Sequence, residues 1–317
     1  MTYILFFLGF LFLIKGADLL VDGSSSIAKK FNISNLVIGL TVVAFGTSAP
    51  ELVVNVIAAL EGKTSLAIGN ILGSNIANVL LILGVSASIY PLTVHRNTVW
   101  KEIPFSLLAV VVVGLMANDV LIDKAESRII TRSEGLVLIG FFFIFLYYTV
   151  GMARSNKSEV VEEVEQYSTG KSIIMVILGF IGLVLGGEWI VNGAVKIALY
   201  FGLSESLIGL TIVSIGTSLP ELAASAVAAY RQKSDIAIGN VIGSNIFNIF
   251  WILSISSTIT PIPLKTASNF DIGVLISANI MLFFSLFIGK RHTLDRWQGI
   301  FFLIFYASYI TYIVFRG

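Results

Sequence analysis

Two glutamates stand in the middle of apolar sequence, each behind a pair of hydroxyls and a proline: Gly46-Thr47-Ser48-Ala49-Pro50-Glu51 and Gly216-Thr217-Ser218-Leu219-Pro220-Glu221. A proline inside a helix lacks an N–H and crowds the carbonyl four residues back, so Pro50 should free the Gly46 carbonyl and Pro220 that of Gly216. The donors gathered here are the carboxylates of Glu51 and Glu221, the hydroxyls of Thr47, Ser48, Thr217 and Ser218, and backbone oxygens. Sulfur and imidazole are missing. Hard cations prefer that set, and calcium takes about 6–8 oxygens in flexible geometry. An ionisable side chain at membrane depth is costly, which makes each glutamate a functional candidate.

Two further segments match each other: Gly69-Asn70-Ile71-Leu72-Gly73-Ser74-Asn75-Ile76-Ala77-Asn78 and Gly239-Asn240-Val241-Ile242-Gly243-Ser244-Asn245-Ile246-Phe247-Asn248. Asn70, Ser74 and Asn78 recur every four residues and share a helix face, as do Asn240, Ser244 and Asn248. Gly69 with Gly73, and Gly239 with Gly243, have the spacing that lets membrane helices approach closely. Packing alone would explain one such segment. Two of them, each following an intramembrane glutamate, point to a polar site.

The elements that must position these residues are helices in a bilayer. Of 317 residues 56% are apolar and only 12% charged, with a mean hydropathy of +0.93. Such a chain is an integral membrane protein. Its long apolar runs are helical, because membrane β-strands would alternate over about ten residues. There is no cysteine, so disulfides and thiolate metal sites are excluded, and the net charge of +1 suggests no nucleic acid. The apolar start lacks a positive n-region and a small-residue cleavage site and is read as the first helix.

Ten spans are expected, at 3–28, 34–60, 65–90, 101–118, 133–152, 172–200, 204–230, 235–260, 268–289 and 296–315. A shift of 170 residues superposes the motifs, and between 34–79 and 204–249 there are 24 identities in 46 positions without a gap. Five spans per half is an odd number, so the second half enters from the opposite side. The fold expected is therefore all-α, ten transmembrane helices as two inverted five-helix repeats, the architecture of secondary transporters. The repeats run over 1–153 and 172–317, joined by a charged cytoplasmic linker, 154–171, that holds Glu159, Glu162, Glu163 and Glu165. Twelve lysines and arginines fall on inner loops against seven outside when both termini are extracellular, the orientation the positive-inside bias favours.

Glu51 precedes Glu61, at the end of its span, by ten residues, and Glu221 precedes Arg231 by ten. At about 1.5 Å per residue each carboxylate lies ~15 Å from opposite membrane faces, at one midplane. Lys15, Asp18 and Asp22 add charge to the first span; a Lys15–Asp18 pair three apart explains two of them, and Glu188 aligns with Asp18. His95 and His292 sit at loop edges and resemble neither a metal site nor a proton relay.

With both motifs present twice at this spacing, the chain resembles the sodium/calcium exchanger family of the cation/calcium exchanger superfamily, in its prokaryotic form without a large regulatory insert. The resemblance implies that spans two, three, seven and eight form the ion-binding core while spans one and six slide across it. It implies Glu51 and Glu221 as shared calcium and sodium ligands, with backbone and hydroxyl oxygens from Thr47 and Thr217. Ser74 and Ser244 would serve flanking sodium sites, the carbonyls of Ala44 and Ser214 would point inward, and Asn78 and Asn248 would border the centre. Some relatives carry aspartate at the place of Asn248, and potassium-dependent members rely on one in this region. The proton-coupled branch usually shows GNxxE where this chain has GTSxPE twice. An antiporter of the plasma membrane follows, with Ca2+ and Na+ ions and the lipid bilayer as partners, no cofactor and a monomer as the expected state. A Ca2+/H+ antiporter using the same glutamates is the alternative, and magnesium a further possible cargo. A channel lacks its carbonyl-ring filter here, and no enzyme is expected, since H-E-x-x-H and G-x-S-x-G are both absent.

Overall fold

The computed structural model describes residues 2–122, 124, 127–155, 166–201 and 214–316. Its long helices are α1 (Thr2–Lys30), α2 (Asn35–Thr47), α3 (Ala49–Leu60), α4 (Thr64–Ile89), α5 (Arg96–Met116), α6 (Arg132–Ser155), α7 (Thr169–Tyr200), α8 (Leu219–Tyr230), α9 (Ser234–Ile259), α10 (Ser268–Ser285) and α11 (Arg296–Arg316). Eight of the described helices are long and apolar enough to cross a bilayer, and α2 with α3 makes a ninth span bent by 47°. Of the expected seventh span, 204–230, residues 204–213 lie outside the described residues; Ser214–Gly216 and α8 belong to the rest. The linker glutamates Glu159, Glu162, Glu163 and Glu165 also lie outside them. The expected ninth span, 268–289, is shorter, because α10 ends at Ser285 and turns follow to Gly289, which has φ +83°.

The break in the second span lies at Ser48, between α2 and α3. Pro50 occupies the first turn of α3, where a missing N–H costs nothing. The Ser48 N–H bonds the Ala44 carbonyl at 3.0 Å. The same break precedes α8, with Pro220 in its first turn.

Helices α4 and α9 are the most enclosed elements, while α1, α6 and α11 keep broad apolar faces outward, as lipid-facing helices do. Gly239 and Gly243 on α9 lie against the backbone of Leu36 and Leu40 on α2; a Cβ at Gly243 would stand 2.6 Å from the Leu40 carbonyl oxygen. Both α4 and α9 open into a π-helical turn, Asn78–Ile82 in one and Asn248–Leu253 in the other, beginning on the two motif asparagines. Such turns re-aim side chains and occur often at functional sites.

Helix α1 packs along α7 through glycines. A Cβ on Gly9, Gly16 or Gly23 would meet the carbonyl oxygens of Gly186, Gly179 and Ser172 at 2.9, 2.8 and 2.9 Å. The partner's number falls by seven as that on α1 rises by seven, so the two helices run antiparallel. Two short pairings tie distant segments together: β1 (Leu92–Thr93) with β4 (Thr293–Leu294), and β2 (Ile129–Ile130) with β3 (Ile262–Pro263), both antiparallel.

Candidate functional site

Glu51 lies in the first turn of α3 and Glu221 in the first turn of α8, each beside the positive end of its half-helix. Both are buried, with 1% of their surface exposed. Each accepts a hydroxyl from the other copy of the motif: Ser48 Oγ donates to Glu221 Oε1 at 3.0 Å, and Ser218 Oγ to Glu51 Oε1 at 3.5 Å. These mirrored bonds bring the two carboxylates into one polar cluster.

The threonines are crossed in the same way. Thr47 Oγ1 donates to Asn240 Oδ1 at 3.0 Å and lies 3.3 Å from the Ala44 carbonyl. On the other side, Asn70 Nδ2 donates to Thr217 Oγ1 at 3.2 Å. Below them the asparagines interlock, Asn78 Nδ2 donating to Asn245 Oδ1 at 3.0 Å and Asn248 Nδ2 to Asn75 Oδ1 at 2.9 Å. The structure thus brings together Glu51, Glu221, Thr47, Thr217, Ser48 and Ser218, while Asn78 and Asn248 join the asparagine lattice through Asn245 and Asn75. Ser74 and Ser244 lie one helical turn before those asparagines and are equally buried. Ala44 is in place behind Thr47, whereas of Ser214 only the backbone, opening the turn Ser214–Gly216, is described.

What the cluster does not satisfy is informative. Glu51 Oε2, Glu221 Oε2, Ser74 Oγ, Ser244 Oγ, Asn78 Oδ1 and Asn248 Oδ1 are buried and find no hydrogen-bond partner among the described residues. They form three pairs at the repeat offset. Buried polar atoms are normally paired, so six such oxygens in mirrored positions are suited to a cation. Among the described residues no three His, Asp or Glu side chains gather as a metal cluster; the donors are mostly neutral oxygens.

Several participants were not anticipated from the sequence. Asn55, four residues after Glu51 and on its helix face, bonds the Glu51 carbonyl and Asn70, and the four-residue spacing could have flagged it. Asn75 and Asn245 belong to the quoted motifs but off the face singled out there. Arg231 reaches α1, 2.7 Å from Asp18 and in contact with Asp22. The expected Lys15–Asp18 pair is present at 3.5 Å, but Arg231 is the nearer partner. His95 bonds Asp235 at 3.2 Å, which raises its pKa above the ordinary imidazole value.

A family model described as sodium/calcium exchanger protein matches residues 1–151 and 171–315. The chain belongs to the sodium/calcium exchanger family. Among solved structures, the sodium–calcium exchanger NCX_Mj soaked with zero Na+ and Ca2+ is similar at a TM-score of 0.85 and 37% identity, over 98% of each chain. Sodium/calcium exchanger MaX1 of Methanosarcina acetivorans is 32% identical over 98% of this chain and 97% of its own. A Ca(2+)/H(+) antiporter, ChaA of Bacillus subtilis, is 25% identical over 66% of this chain and 63% of its own. As a member of the sodium/calcium exchanger family the chain is a multi-pass membrane antiporter of calcium and sodium.

Proposed function

We propose that this chain exchanges Na+ for Ca2+ by alternating access around Glu51 and Glu221. The observation that carries the reading is that the two glutamates and the serines and asparagines of the two Gly-Asn motifs contribute buried, unpartnered oxygens in mirrored pairs. Glu51, Glu221, Thr47 and Thr217 hold the central cation, with Ala44 and Ser214 contributing carbonyl oxygens. Ser74 and Ser244 extend the cage to flanking sodium positions, and Asn78, Asn248, Ser48 and Ser218 line it. Ten spans in two inverted repeats, 1–153 and 172–317, joined by 154–171, account for the mirrored bonds and for antiparallel α1 and α7. The positive-inside bias supports a plasma-membrane orientation with both termini outside.

One calcium or two sodium ions neutralise the two carboxylates. Without cargo two charges would stay buried and uncompensated, which disfavours crossing empty and enforces exchange. A tenfold sodium gradient supplies about 1.4 kcal/mol per ion, and one net charge moving through 100 mV about 2.3 more. Two sodium ions therefore sustain roughly a hundredfold calcium gradient, and a third more than ten-thousandfold.

Calcium-45 flux into proteoliposomes, with sodium, potassium and pH gradients imposed one at a time, tests this. Sodium alone is expected to drive uptake. Uptake driven by a pH gradient in sodium-free buffer would replace the proposal with Ca2+/H+ antiport, the activity named for the ChaA relative.

The Arg231 tie closes α8 onto α1 at one mouth, and its mirror position is Glu61, which cannot repeat it. Partly exposed pairs are each worth up to ~1 kcal/mol and Arg231 makes two, so Arg231→Gln should change the transport rate by at most about thirtyfold with folding intact. An unchanged rate would remove this pair from gating.

A further inference from the structure

The two half-sites are not chemical mirror images. Four residues after each glutamate the first motif has Asn55 and the second Ser225, both fully buried. Asn55 Nδ2 donates to the Glu51 carbonyl at 2.7 Å and to Asn70 Oδ1 at 2.8 Å. A carbonyl only accepts, so the Asn55 amide has one permitted orientation. Asn70 must then offer Asn55 its oxygen, and its Nδ2 is left to donate to Thr217, at 3.2 Å.

In the second motif a serine replaces that amide. Asn240 Nδ2 itself donates to the Glu221 carbonyl at 3.4 Å and to Ser225 Oγ at 3.0 Å. Its Oδ1 is therefore turned to accept from Thr47, at 3.0 Å. One threonine is held as donor and the other as acceptor.

A hydroxyl that donates keeps both lone pairs for a cation, whereas one that accepts a bond keeps a single lone pair. Resting on the sodium-coupled reading above, we infer that Asn55 and Ser225 are specificity-determining positioning residues. Through Asn70 and Asn240 they make the Thr47 hydroxyl the stronger sodium ligand and weaken that of Thr217. Sodium ions that share these two hydroxyls are therefore held with different affinity although Thr47 and Thr217 occupy matching positions of the repeat.

The test is the sodium dependence of calcium flux in Asn55→Ser. With serine at that position Asn70 can bond the Glu51 carbonyl and the new hydroxyl, as Asn240 does in the second motif, and turn its oxygen to Thr217. The half-saturating sodium concentration should fall about three- to tenfold, the span of one neutral hydrogen bond. In a Thr217→Val background the same change should have no effect, because the hydroxyl it frees is gone. Ser225→Asn, the converse change, should raise half-saturating sodium by a similar factor and serves if Asn55→Ser does not fold. An unchanged or raised value in Asn55→Ser, or a gain that survives in Thr217→Val, overturns the inference. Parent protein that moves calcium without any sodium dependence overturns instead the reading on which it rests.

Discussion

Replacing Glu51 or Glu221 by glutamine is expected to abolish sodium-driven calcium uptake into proteoliposomes while the protein still folds. Glutamine keeps the volume but removes a charge and exchanges one oxygen for an NH2 donor. At an effective dielectric of about 20, unit charges 4 Å apart attract by about 4 kcal/mol, more for a divalent ion, and that equals roughly a thousandfold in affinity. The Oε1 atoms already accept Ser48 and Ser218, so the loss falls on the oxygens that have no other partner. Stability should move the other way or not at all, because a buried carboxylate without a counter-charge is costly to fold. Unchanged monodispersity and melting temperature beside absent uptake would separate a lost ligand from a lost fold. Parental uptake rates in either variant would refute the assignment of the glutamates.

Gly16→Val should be the most damaging change outside the polar cluster. Its Cβ would lie 2.8 Å from both the Gly179 carbonyl oxygen and the Leu183 amide nitrogen, and these are backbone atoms that cannot swing aside. The helices must separate, and overpacking of this kind costs about 1–3 kcal/mol or more. In lipid no hydrophobic force between helices compensates, since their association depends on close packing. A fall of several degrees in detergent melting temperature, with slowed transport, is expected. Gly140→Val is the matched control, because an added Cβ there meets nothing within 4 Å. Equal melting temperatures for the two variants would show that α1 and α7 do not depend on contact at Gly16.

Membrane spans were legible because each is a long, predominantly apolar run, and the glutamates because charge in such a run is rare. The crossing of Ser48 to Glu221 and of Ser218 to Glu51 follows from the repeat, which relates the two motifs without any need to know the loops. That Pro50 starts a helix after a break at Ser48 was not legible, since a proline can kink a helix or start one and its sequence neighbours do not decide which. Arg231 was counted as a loop charge; its partners on α1 lie more than two hundred residues away, and no local pattern records that. The glycine contacts of α1 and α7 were missed although Gly9, Gly16 and Gly23 recur at seven residues, as do Gly179, Gly186 and Gly193. The difference between Asn55 and Ser225 was visible in the aligned motifs, but its meaning depends on hydrogen-bond direction, which needs coordinates.

The paired strands link segments in an exchanged order. The end of α4 is clasped to the strand that leads into α11, and the end of α9 to the strand that leads into α6. Helix α6 then packs on α9, and α11 on α4. Each copy of the sequence repeat thus lends its last helix to cover the inner helix of the other, like two people standing face to face, each holding the other's coat closed. Among the described residues each inner helix is thus covered in part by the other copy, and shielding both from lipid takes both copies together.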